Sequence, residues 1–268
     1  MKSIQKTVLS IIIIFLSNTA WSDSRSAFEI MQAVKDRYMG ETSKQKGVLT
    51  LIDKKNKKKK RTIIELSRKQ GEDDQSITQV VHPADLRGAS FLSYDYDDPI
   101  QQDETWMYLP QIGKTKRLAN SERKGYFLGS DFTYNDLSGI EVSLFDYKFL
   151  TEESNDELWV INALPAKMFP EKAIDETGYI KAKYWVDKKR ILITKAQYWL
   201  EEGDRVKYFR ASNIVKKNGI WTPMKVQMIL THNQQIQHAS IYQVESIIYN
   251  LPVKDEFFNA QFLGKTLD

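Results

Sequence analysis

Three histidines, one crowd of carboxylates and one serine set between small residues are the side chains through which this chain would do chemistry. His232 and His238 flank a predicted turn between strands, so they either approach across a hairpin to reach a metal or serve as ordinary strand and turn residues, as His82 does. No His-Glu-x-x-His motif and no cysteine accompanies them. Asp95, Asp97, Asp98, Asp103 and Glu104 form either an acid/base pair of the glycosidase kind or a hydrated acidic loop, and spacing alone does not give the carboxylate separation that would decide. Gly129-Ser130-Asp131 lacks the second glycine of a nucleophile elbow, so Ser130 is read as a turn or capping residue. No catalytic residue and no metal ligand is assigned, and no cofactor is expected.

The elements that would position these groups alternate apolar and polar residues with period two, except in one stretch. From Gly125 to Ile140 aromatics (Tyr126, Phe127, Phe132, Tyr134) sit among glycines, and Thr133 with Asp136 three residues on forms an approximate capping box, opening a short helix before Gly139. Such a greasy segment between two sets of strands is either a plug packed into a curved sheet or a lid over a ligand. Gly129, Ser130, Asp131, Thr133 and Asp136 make up its structural motif.

Before it, Lys2 and Lys6 precede an apolar run from Val8 to Leu16, then Ala20-Trp21-Ser22 supplies small residues at the positions a signal peptidase reads. The run is shorter than the roughly 20 residues that span a bilayer, which favours a cleaved signal peptide over Met1–Ser22 rather than an uncleaved anchor. A single domain over residues 23–268 and a periplasmic address are therefore expected. Removing that segment takes away two lysines and no acid, lowering the formal net charge from +4 to +2. So balanced a chain lacks the basic face that neutralises phosphates in a nucleic-acid binder. With no cysteine it uses neither disulfide nor thiol chemistry.

An amphipathic helix is predicted where Phe28, Met31, Val34 and Tyr38 recur, with Gly40 ending it. Strands Gly47–Asp53 and Lys60–Arg68 flank a lysine-rich tip and read as a long hairpin. The segment Lys54–Arg61 is either a solvated turn that discourages edge pairing or a contact for anionic headgroups or an acidic partner. Further strands are predicted at Gln75–His82, Ala89–Tyr96, Asp103–Leu109 and Lys114–Leu118, and seven more between Asp146 and Tyr249. The fold class is thus mainly β with few helices: an unclosed, strongly curved antiparallel half-barrel. A sheet so long must close, fold over or be plugged. The candidate plugs are the first helix, Tyr126–Leu137 and the C-terminal Phe257–Leu263. Where they fill the hollow incompletely, an apolar cavity for acyl chains is left.

The order Pro83-Ala84-Asp85-Leu86-Arg87-Gly88, Trp106-Met107-Tyr108-Leu109-Pro110, Lys116-Arg117-Leu118 and Gly129-Ser130-Asp131-Phe132-Thr133-Tyr134-Asn135-Asp136-Leu137 resembles the outer membrane lipoprotein-sorting proteins of the LolA-like superfamily. The resemblance runs over nearly the whole chain after Ser22. It implies an unclosed barrel covered by helices whose hollow takes lipoprotein acyl groups in the periplasm. It also implies an inner-membrane exporter of the resistance-nodulation-division superfamily as donor and an outer-membrane acceptor. Trp106, Tyr108, Phe127, Phe132, Tyr134, Met224 and Met228 are the expected lining of that cavity or its lid; the alternative is that they simply pack the sheet against its helices. Three functions follow from these residues: a carrier of acyl chains with no covalent step, an accessory subunit of an exporter holding no ligand, or an envelope enzyme acting on lipid or glycan.

Overall fold

The computed structural model describes residues 24–98, 101–168 and 170–267. The predicted signal segment lies outside them. The described strands form one thirteen-stranded antiparallel sheet in the order β6-β5-β4-β3-β2-β1-β13-β12-β11-β10-β9-β8-β7. In chain order these are β1 (Thr42–Asp53), β2 (Lys58–Gln70), β3 (Asp73–His82), β4 (Ser90–Asp95), β5 (Glu104–Leu109), β6 (Lys114–Leu118), β7 (Phe145–Phe149), β8 (Leu158–Pro165), β9 (Tyr179–Asp187), β10 (Leu192–Leu200), β11 (Arg205–Lys217), β12 (Ile220–His232) and β13 (Gln235–Tyr249). The helices are α1 (Ala27–Lys35), α2 (Tyr134–Ser138) and α3 (Pro170–Thr177).

This order has a consequence for the segment after β6. The chain walks outward from β1 to one edge at β6, jumps to the opposite edge at β7, and walks back until β13 pairs with β1. Residues 119–144 are therefore a strap joining the two free edges, and α2 lies within it. Its aromatics enter the core: Phe127 and Phe132 pack with Leu49, Leu51, Ile63, Phe91 and Met228. That cluster continues through Tyr198 and Phe209 into a second one that takes in α1, β8, β9 and β10. The two clusters together occupy the hollow.

The first helix forms where Ser26 caps it, accepting from the Glu29 amide while Glu29 accepts from the Ser26 amide. Its buried face differs by one position from the predicted one. Ala27, Ile30 and Met31 point into the core with Val34 against them, whereas Phe28 and Tyr38 are about half exposed. Phe28 instead lies beside the Tyr147 ring.

The C-terminal segment is placed differently from expectation. Leu66, Ile77 and Leu92 point away from the hollow, since they alternate with the inward Ile63 and Phe91, and Phe258, Phe262, Leu263 and Leu267 cover them from outside. The tail is a second layer on the outer face of β2–β5, not a plug. Gln79 fixes it by donating to the Lys265 carbonyl (2.6 Å) and accepting from the Leu267 amide (3.0 Å), and Tyr94 Oη donates to the Phe258 carbonyl (2.6 Å). Gly264 adopts φ +86°, and a Cβ there would stand 2.8 Å from the Tyr108 ring.

Candidate functional site

Beneath the strap lies a cavity of about 250 Å³, walled by Phe132, Phe145, Leu192, Tyr198, Phe209 and Met228 among others. A smaller apolar chamber of about 70 Å³ adjoins it, lined by Leu49, Ile63, Phe127, Val226 and Tyr242, and Phe132 borders both. One carboxyl enters the small chamber: Glu65 accepts from Gln45 Nε2 (3.1 Å), and burial pushes its pKa up. On the other side Val34, Gly139, Ile140 and Glu141 form a wall shared between the large cavity and a polar cleft of about 330 Å³. Lys35, Lys69, Glu72, Asp74, Asp95 and Asp97 line that cleft. Gly139 ends α2 with φ +101°, a turn that side chains other than glycine adopt only under strain.

Three buried polar ties hold the strap. At its start Arg123, 1 % exposed, donates to Asp103 Oδ2 (2.9 Å) and to Ser138 Oγ (3.0 Å), with Asp95 3.8 Å away. In its middle the Asp131 carboxylate accepts from Ser240 Oγ (2.7 Å) and meets His238 Nδ1 (2.8 Å), both on β13. In α2 the capping pair is present, Asp136 Oδ2 accepting from the Thr133 amide (2.8 Å) and Thr133 Oγ1 from the Asp136 amide (3.0 Å). The other oxygen, Asp136 Oδ1, accepts from Tyr179 Oη (2.6 Å), and the fully buried Lys207 donates to Tyr179 Oη (3.1 Å) and Asp136 Oδ2 (3.4 Å). Aspartate at the capping position thus serves the helix end and a charge in the sheet together.

Of the residues singled out from sequence, Phe132 and Met228 line the large cavity and Phe127 and Phe132 the small one. Tyr134 packs edge-on to Phe127 and tilted on Phe91. Met224 lines neither. Trp106 and Tyr108 are placed elsewhere: they face outward under the C-terminal tail, because the inward positions of β5 are Met107 and Leu109. Gly129 turns with φ +68°, and Ser130 closes a local turn, its Oγ accepting from the Phe132 amide (3.2 Å). His238 is held by Asp131, while His232 sits exposed opposite Gln235 at the hairpin tip. The acidic region is not a hydrated loop throughout. Asp103 is 8 % exposed on Arg123, and burial, followed by the neighbouring Asp103, pushes the Asp95 carboxyl well above its usual range. Among the described residues no group of three or more His, Cys, Asp or Glu stands ready to hold a metal. Sequence reading missed the fully buried Arg123 and Lys207 and the part-buried Glu65.

Residues 72–265 match the model of a family that carries the description "Uncharacterized protein". The chain belongs to this family. No curated protein matches it by sequence. Among solved structures it is similar to a DUF1329 family protein from Desulfovibrio piger, at 23 % identity and a TM-score of 0.78 over 88 % of this chain and 97 % of that one. A putative outer membrane lipoprotein-sorting protein domain from Vibrio parahaemolyticus is similar at 23 % identity and a TM-score of 0.77, covering 89 % and 98 %. A LolA superfamily protein from Nitrosomonas europaea follows at 18 % identity and 0.66, covering 90 % and 100 %. These likenesses establish the fold: an unclosed antiparallel sheet shared with these solved structures.

Proposed function

We propose that this protein is a periplasmic carrier that shelters the acyl chains of a lipoprotein or lipid in the cavity beneath the strap and conveys them toward the outer membrane. The observation that carries this is the pairing of two unlike compartments across one thin wall. A mainly apolar cavity, whose lining also includes Arg37, Asp136 and Glu141, adjoins a charged cleft, and Val34, Gly139, Ile140 and Glu141 line both. An amphiphile has the same division, with chains for the first and a polar head for the second. Each methylene moved from water into the cavity contributes about 0.8 kcal/mol and asks for no directional partner, so chains of differing length are accepted. The same lack of directional bonds lets a membrane, equally apolar, receive the cargo without a large penalty. The description of the Vibrio relative as lipoprotein-sorting supports this class of cargo.

In this scheme the strap is a fixed plug. Its three buried polar ties would each have to break for it to swing out, whereas the wall at Gly139–Glu141 is tied to α1 by a part-exposed ion pair, Lys35 Nζ to Glu141 Oε1 (3.7 Å), and offers the route in. The donor is assigned to an inner-membrane exporter of the resistance-nodulation-division superfamily and the acceptor to the outer membrane; both assignments rest on the sequence resemblance.

The test is displacement of a polarity-sensitive fluorescent fatty acid from the purified protein. Two variants, Phe132→Asp, which puts a charge between the two chambers, and Ala211→Phe, which fills the large one, are expected to lose probe binding while keeping the wild-type β circular dichroism spectrum. Probe binding unchanged in both folded variants would refute the cavity as the acyl site.

A further inference from the structure

The lysine-rich tip joins strands in the middle of the sheet, not at its margin. β1 and β2 lie between β3 and β13, and the two free edges are β6 and β7. Protection against edge pairing therefore does not explain Lys54, Lys55, Lys57, Lys58, Lys59 and Lys60. All six are exposed, and none forms an ion pair among the described residues. The turn that presents them is ordered: Asp53 Oδ1 accepts from the amides of Lys55 (2.8 Å) and Lys57 (2.9 Å). The neighbouring tip, between β12 and β13, runs alongside, since Asp53 pairs with His238 and Thr231 with Ile236.

Exposure along both tips is continuous, over residues 54–60 and 232–236, where a strand covered on one face would alternate. The two hairpins thus stand clear of the body on both faces. They carry six positive charges, a single aspartate already engaged by the turn, and one large aliphatic side chain, Ile236, 61 % exposed. The acids Glu201, Glu202 and Asp204 lie one hairpin further along, between β10 and β11, where Glu202 pairs with Arg205.

We infer that this paired tip docks the protein on the surface of a membrane containing anionic phospholipid. A projecting cluster of lysines matches a plane of negative headgroups, each contributing about five-fold in affinity within a Debye length of the surface. Ile236 at the apex is placed to enter the interface, as aliphatic side chains beside basic ones do in peripheral proteins. An acidic folded partner would be met by a concave or flat basic face, and these tips form neither. The inference stands apart from the cavity: it holds whether or not the cavity contains acyl chains.

Vesicle co-sedimentation tests it, comparing phosphatidylcholine vesicles with phosphatidylethanolamine/phosphatidylglycerol vesicles at low and high salt. The protein is expected to sediment with the anionic vesicles at low salt only. Changing Lys54, Lys55, Lys57 and Lys58 together to Gln should weaken binding by roughly 600-fold at low salt, and Ile236→Asp should weaken it roughly ten-fold. Both variants should keep the wild-type melting temperature, because every changed side chain is exposed. Equal binding to both vesicle types, or undiminished binding of the four-lysine variant, would overturn the inference. So would failure to bind vesicles together with retention on an acidic protein.

Discussion

Among the described residues Arg123 and Lys207 are the largest fully buried side chains, and both hold the strap. A buried charge with its partner in place roughly breaks even, but a charge stripped of its partner costs about 3–5 kcal/mol. Lys207→Met is accordingly expected to lower the unfolding free energy by about that amount, because it leaves Asp136 buried without its cation. The double variant Lys207→Met/Asp136→Asn should recover part of the loss. Urea titration measures both, and a single variant as stable as wild type would remove Lys207 from its assigned role. Glu65 acts in the opposite sense. Its folded pKa is raised from the usual 4.5 by burial, so the folded protein holds a proton that the unfolded chain releases. Its contribution to stability is present below pH 4.5 and is lost as the pH rises toward the folded value. Glu65→Gln should therefore gain stability at neutral pH and flatten the fall in melting temperature above pH 4.5. None of these three residues was legible in the sequence. Ser121-Glu122-Arg123-Lys124 looks like a solvated turn, and Lys207 alternates with Val206 and Tyr208 in a way that leaves the choice of inner face open.

At the scale of elements, local chemistry was legible wherever it was self-contained. The Thr133–Asp136 cap needs only four consecutive residues, and it forms as read. Strand limits followed the alternation closely, as in Tyr179–Asp187 and Gln235–Tyr249. What sequence left out is which face is covered by something distant. Trp106 and Tyr108 share a face, as their spacing demands, but the C-terminal tail decides that this face is the outer one. The short α3 escaped notice because only Ala173 and Thr177 of its eight residues are buried, too few to set a period. Since the tail makes a second dry layer, Phe262→Ala should cost about 3–5 kcal/mol and expose Leu66, Ile77 and Leu92, raising the fluorescence of an apolar dye. A loss below about 1 kcal/mol would show that the tail is merely resting there.

The whole molecule is two wings of one sheet, joined at β1–β13 and bridged by the strap from β6 to β7. Period-two alternation announced a long antiparallel sheet, and its length announced that the hollow would need filling. The order of strands was not legible, because alternation is the same whichever neighbour a strand takes. That order is what turns a greasy loop into a bridge between both edges, and it places the lysine tip at the centre of the rim. It also leaves a cavity of about 250 Å³ walled by the strap on one side and the sheet on the other. The most direct measurement of its purpose is to purify the protein gently from the envelope, extract it with organic solvent and identify by mass spectrometry what is released. A near-stoichiometric lipid or acylated peptide, depleted in Phe132→Asp, is the result the carrier predicts; wild-type protein that is folded and yields no acyl species would contradict it.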